Sequence, residues 1–171
     1  LGYAHSVGVL HRDIKPDNIL IGPYGEVLLL DWGLAKVWHS GAGGGSVPTD
    51  VPDLDVGVSM TSAGKLEGSV MYMSPEQVDR EADIDYRSDI YSLGAVMYEA
   101  LTGRTPFTGT LVRKILDDVR HKVPETPSHF GNVAVPKVLS DLTMECLSKD
   151  PDVRPSSADE VARIIQHNWL S

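Results

Sequence analysis

Residues 11–18 read His11-Arg12-Asp13-Ile14-Lys15-Pro16-Asp17-Asn18, and a little further on the chain reads Asp31-Trp32-Gly33. Between them lie two short apolar runs, Ile19-Leu20-Ile21 and Glu26-Val27-Leu28-Leu29-Leu30, around Gly22-Pro23-Tyr24-Gly25, which has the composition of a turn. That pattern predicts a small β-hairpin. A hairpin returns the chain on itself, so Asn18 and Asp31 are expected to meet at its open end.

Outward from this stretch, Leu1 to Val9 has helical apolar spacing and is ended by Gly8. Downstream, Gly41 to Gly45 and the prolines and aspartates after it cannot bury enough apolar surface to offset their ordering, and read as a flexible loop. Its glycines lack the Lys-Ser/Thr of a phosphate-binding P-loop. Regular structure is expected to resume at Asp89, in a helix that ends at Gly103 and has so few polar positions that it should be buried nearly all round. Three amphipathic helices follow, at 111–119, 136–147 and 157–170, the last opened by a capping box of Ser157 and Glu160.

With 171 residues, 42% hydrophobic and 23% charged, the chain has the make-up of one globular domain. Its 15 basic against 24 acidic residues give a net charge of −9, which argues against a general nucleic-acid binder. The single Cys146 closes no intrachain disulfide and suits a reducing compartment, so the expectation is cytoplasmic, with any membrane anchor of a parent protein outside this chain. No apolar run reaches the ~20 residues of a spanning helix.

The His11-to-Asn18 stretch and Asp31-Trp32-Gly33 resemble the catalytic loop and metal-binding motif of the eukaryotic-type serine/threonine protein kinase family, and Asp31-Trp32-Gly33-Leu34-Ala35-Lys36 resembles its bacterial branch. Ser74-Pro75-Glu76, Asp89 to Gly94, and Arg154 in Asp150-Pro151-Asp152-Val153-Arg154-Pro155 match further family motifs in the same order. The resemblance implies an α+β, mostly α, kinase-like fold. Residues 1–171 would form a C-terminal lobe with catalytic loop 11–18 and activation segment 31–76, its hairpin carrying the catalytic and metal loops.

The resemblance also assigns roles. Asp13 would accept or orient the proton of an attacking hydroxyl, and Lys15, the mark of serine/threonine specificity, would stabilise the transferring phosphate. Asn18 and Asp31 would hold Mg²⁺, a hard ion that prefers oxygen ligands, and Leu20 would lie beneath the adenine of ATP. Ser69 would contact Lys15 and Asp13. Trp32 replaces the commoner Phe and brings an N–H that needs a partner when buried. His11 would brace the loop without chemistry. Glu76 and Arg154 would form a buried ion pair, and Asp89 would serve the architecture. Thr61 or Ser62, phosphorylated, would pair with Arg12. Asp17 and Glu99 match positions that select basic residues near the phosphoacceptor.

The family's Gly-rich loop, strand Lys and helix Glu precede the catalytic loop, where this sequence, beginning at Leu1 and not Met, has little chain. An N-terminal lobe is therefore expected upstream. Two readings follow: a fragment of an ATP-dependent kinase acting on Ser/Thr hydroxyls of protein substrates, or a catalytically inactive kinase-like fragment acting as a binding module.

Overall fold

The computed structural model describes residues 1–38, 68–81, 84–130 and 134–169. The expected glycine-rich loop at 41–45, and the candidate phosphosites Thr61 and Ser62, lie outside the described residues.

The chain opens with a single helical turn, α1 (Gly2–Ser6), and strand β1 (Val9–Leu10). After the loop of 11–18 comes the expected hairpin, β2 (Ile19–Ile21) against β3 (Val27–Leu29), antiparallel with Ile19 opposite Leu29 and Ile21 opposite Val27. A second antiparallel pair joins β1 to β4 (Lys36–Val37), so the segment after the hairpin comes back to the chain that precedes the loop.

The rest is helical: α2 (Pro75–Val78), α3 (Tyr86–Thr102), α4 (Val112–His121), α5 (Lys137–Cys146) and α6 (Ala158–Trp169). Regular structure resumes before Asp89. Ser74 opens α2 by accepting from Gln77 N–H, while the Gln77 side chain returns to the Ser74 N–H, a complete capping box. Asp85 caps α3, which begins three residues ahead of the expected start, its side chain accepting from the Arg87 N–H at 2.9 Å. Gly103 ends α3 in the left-handed region, at φ 74°, where only glycine sits without strain.

Helix α3 is the centre of the fold, with a separate apolar cluster on each side. Tyr91, Ala95 and Tyr98 pack with Val70, Phe107, Ile115, Val119 and Leu147. Ile90 packs with Leu142, Cys146, Ala158 and Val161. Each large side chain removed from water contributes about 1.5–3 kcal/mol, so these clusters supply the main driving force. Burial is less complete than expected: it is continuous from Ser88 to Ser92, whereas Leu93, Val96 and Met97 are half-buried and Ala100 is exposed. The C-terminal turns lie at the edge of both clusters, which is why they reach solvent.

Gly94 is required by the closeness of α3 and α5, since a Cβ there would lie 2.5 Å from the Cβ of Cys146. At α6, Ser157 accepts from the Glu160 N–H at 3.0 Å, but the Glu160 carboxylate takes the N–H and hydroxyl of Ser156 instead of completing the expected box. Those two bonds hold the Glu160 carboxyl below the usual carboxylate range. No helix among the described residues is long and apolar enough to cross a membrane.

Candidate active site

The loop of 11–18 is an irregular backbone held by one buried carboxylate. Asp89, 1% exposed in the first turn of α3, accepts from the His11 N–H and the Arg12 N–H, both at 2.8 Å. His5 Nε2 sits on the same carboxylate at 2.8 Å, tying α1 to α3. From the other side, the Gln77 amide donates to the Arg12 carbonyl at 2.8 Å. Arg12 can therefore hold a left-handed φ of 69°, which costs a non-glycine residue ~1–2 kcal/mol. Among the described residues none pairs with its guanidinium.

His11 is completely buried and its two ring nitrogens are both used. Nδ1 accepts from the Asp13 N–H at 3.2 Å, which assigns the ring proton to Nε2, the donor to the Leu30 carbonyl at 2.9 Å. The imidazole thus links catalytic loop to hairpin and has no nitrogen left for proton transfer. Trp32 packs edge-on to it, centroids 4.6 Å apart, and its indole N–H finds the Leu29 carbonyl at 3.0 Å.

Asp13, Lys15, Asn18 and Ser69 form one network. Lys15 Nζ donates to Asp13 Oδ2 at 2.7 Å and to Ser69 Oγ at 2.8 Å, joining the loop to the stretch just ahead of Val70–Tyr72. The Asn18 amide nitrogen donates to the Asp13 carbonyl at 2.7 Å and to Asp13 Oδ2 at 3.0 Å. Both donors reach the same carboxylate oxygen, and Oδ1 has no partner among the described residues. The amide nitrogen is committed as well, so Asn18 presents its Oδ1, an oxygen suited to a hard cation.

Asp31 comes to this site through the hairpin. The Leu30 N–H donates to the Asn18 carbonyl at 2.7 Å, closing the open end, and Asp31 is the next residue. Its φ of 59° turns the chain, and one carboxylate oxygen accepts from the Gly33 N–H at 3.3 Å. The donor set of one carboxylate and one amide oxygen fits Mg²⁺, which keeps much of its sphere for phosphate and water. Leu20 lies on the hairpin, 51% exposed.

Glu76 and Arg154 meet deep in the fold, with the Ser88 hydroxyl donating to the same carboxylate at 2.7 Å. Burial pushes the Glu76 carboxyl up, but the hydrogen bonds and charge of Arg154 outweigh it and hold the group below its usual value. The Tyr72 hydroxyl donates to Glu99 Oε2 at 2.5 Å. Burial first, then the bond and charge of Glu99 and the charge of Asp17, push that phenol well above its ordinary value.

Sequence reasoning did not anticipate His5, Gln77 or Tyr72 in these roles. The contacts of His5 and Tyr72 span 84 and 27 positions, and no local spacing announces such partners. Gln77 alone left a signal, three residues after Ser74 in capping-box position.

The family model described as protein kinase domain matches residues 1–170. Among curated relatives, the serine/threonine-protein kinase PknD of Protochlamydia amoebophila (strain UWE25) is 42% identical over 174 residues, covering 99% of this chain and 17% of the relative. A probable serine/threonine-protein kinase of Streptomyces coelicolor is 35% identical, covering 94% of this chain and 21% of the relative. The serine/threonine-protein kinase PknB of Mycobacterium tuberculosis (strain ATCC 25177 / H37Ra) is 36% identical, covering 94% and 23%. This chain thus spans about a fifth of the length of those relatives. A match from residue 1 to residue 170 takes in every described element, and the chain belongs to the protein kinase domain family.

Proposed function

We propose that the protein carrying this chain is an ATP- and Mg²⁺-dependent serine/threonine protein kinase, and that residues 1–171 supply the C-terminal lobe of its catalytic domain. The nucleotide-gripping lobe then comes from sequence outside this chain. The observation that carries the reading is Lys15, bonded at once to Asp13 Oδ2 at 2.7 Å and to Ser69 Oγ at 2.8 Å. An ammonium beside that carboxylate, both tied to the stretch at Ser69, supports a role for Asp13 and Lys15 in phosphoryl transfer to a hydroxyl.

Phosphoryl transfer asks a protein chiefly to position groups and neutralise charge. Asp13, fixed through Oδ2, offers Oδ1 to the acceptor hydroxyl and takes its proton as the oxygen bonds to the γ-phosphorus, whose bond to the bridging oxygen breaks to release ADP. Lys15 stabilises the negative charge on the phosphoryl oxygens. Asn18 and Asp31 hold the Mg²⁺, which when bound screens the phosphate charges. Leu20 gives the adenine an apolar contact. Asp17 and Glu99 favour basic residues near the phosphoacceptor, and Thr61 or Ser62 is the regulatory phosphosite, read through Arg12.

The test is transfer of labelled γ-phosphate by the full-length protein to serine, threonine and tyrosine peptides. Asp13→Asn is expected to lower kcat by about 10²–10⁴-fold with folding intact. Transfer to tyrosine alone, or transfer unaffected by Asp13→Asn, overturns the reading.

A further inference from the structure

We propose that a groove formed by the segment following α4, the second half of α5 and the turn Pro151–Val153 is a docking site for a cationic amphipathic segment of a partner protein. The hollow is open to solvent, with a volume of about 610 Å³. None of Asp13, Lys15, Asn18 or Asp31 lines it, so it serves something other than the phosphoryl-transfer site.

Its floor is apolar and its rim is acidic. Val123 and Val153, 70% and 59% exposed, line the hollow together with Met144 and the buried Leu147. Single exposed valines mean little, but these surround one concavity. Asp141, Glu145 and Asp150 stand around it. Lys137 pairs with Asp141, whereas no cation among the described residues pairs with Glu145 or Asp150. The one cation in the lining, Lys149, is turned into the fold. Its Nζ donates to the Val119 carbonyl at 2.6 Å and the Tyr91 hydroxyl at 3.1 Å, and lies 4.5 Å from the centroid of Phe107. It supports the floor and does not neutralise the rim.

An apolar lining beside two acids with no ion pair among the described residues, Glu145 and Asp150, selects an occupant with the reverse pattern: a helix whose apolar side chains enter the hollow while Lys or Arg side chains reach those acids. The same rim repels an anionic lipid surface and nucleic acid, which leaves a basic protein segment as the class of partner.

The test uses the full-length protein and a fluorescein-labelled peptide of about 14 leucines and lysines in helical amphipathic order. Binding is followed by fluorescence anisotropy at about 0.15 M salt, where loose charge attraction is screened. Saturable binding is expected, weakened at least about tenfold by Glu145→Lys with Asp150→Lys, and likewise by Val153→Asp. Glu26→Lys with Glu81→Lys makes the same charge change elsewhere and is expected to leave binding within about twofold. No binding, equal binding of a scrambled peptide of the same composition, or equal loss from the remote pair overturns the proposal. So does normal binding by a Val153→Asp protein whose thermal unfolding is unchanged.

Discussion

The Arg154 guanidinium and the Glu76 carboxylate face each other along two hydrogen bonds, Nη1 to Oε1 at 2.6 Å and Nη2 to Oε2 at 3.0 Å, across 78 positions of chain. Arg154 also donates to the carbonyls of Arg87 and Ser148. One side chain thus joins α2, the start of α3 and the turn before α6.

Removing one partner strands the other charge in the interior. Glu76→Ala is expected to cost about 3–5 kcal/mol in urea unfolding, and Glu76→Leu with Arg154→Met much less, because the double change leaves no lone charge. The folded carboxyl titrates below its unfolded value, so the pair's stabilisation is complete above about pH 4.3 and is lost as the pH falls through the folded pKa. Glu76→Gln should flatten that acid limb. An unchanged acid profile would count against the pair's role.

Asp89 predicts a different signature. It touches no group assigned to the chemistry, yet it holds the N–H groups of His11 and Arg12. Asp89→Asn keeps one acceptor and offers an unwanted donor to two N–H groups, so a loss of about 1–3 kcal/mol is expected. Phosphoryl transfer by the full-length enzyme should fall mainly in kcat, with KM for peptide little changed, because Asp13 is displaced while the surfaces that take peptide are not. A pure KM effect would refute this.

Asp17 and Glu99 lead to a prediction about substrate. The Glu99 carboxylate accepts from the Tyr72 hydroxyl, and the charge of Asp17 adds to that of Glu99 at this phenol. A peptide library presented to the full-length enzyme should show enrichment of Arg or Lys close to the phosphoacceptor, and Asp17→Asn with Glu99→Gln should reduce that preference by about tenfold. Equal use of basic and acidic peptides would remove the idea.

How much of this was legible in the sequence depended on range. The hairpin, with Gly22 to Gly25 between two apolar runs, and the three late helices declare themselves through local period and turn chemistry. The β1–β4 pair does not, since two residues carry no alternation to read. The start of α3 was missed because Asp85 and Ser74, whose side chains end the irregular stretch, look like any other loop polar residues. At the site, the order of Asp13, Lys15, Asn18 and Asp31 was visible as a motif. The contacts that hold them, Asp89 to the loop backbone and Gln77 to the Arg12 carbonyl, depend on chain returning from 77 and 65 positions away.

Gly94 gives a packing test free of electrostatics. Gly94→Ala places a Cβ 2.5 Å from the Cβ of Cys146, and overpacking of this kind costs about 1–3 kcal/mol. Cys146→Ala should fail to rescue it, because alanine keeps the offending carbon, while Cys146→Gly should recover part of the loss. Rescue by Cys146→Ala would place the clash elsewhere.

The hairpin determines how residues 1–171 behave when expressed alone. Ile21, Val27 and Leu28 stand 72%, 64% and 51% exposed beside Leu20, and Tyr3 and Val7 add to the same apolar count near the amino end. Exposed apolar surface of this extent on one small unit favours association. The isolated chain is expected to self-associate in light scattering and to bind an apolar dye. Val27→Lys with Leu28→Glu should reduce both without unfolding the helices, since neither side chain belongs to the two core clusters. It is also expected to transfer no measurable phosphate, because a nucleotide contacted only from the side of Leu20, Asn18 and Asp31 is not held in line with Asp13. The inactive, binding-module behaviour would then belong to the fragment and catalysis to the longer protein. A monodisperse sample, or label transfer by residues 1–171 that disappears with Asp13→Asn, would reverse that division.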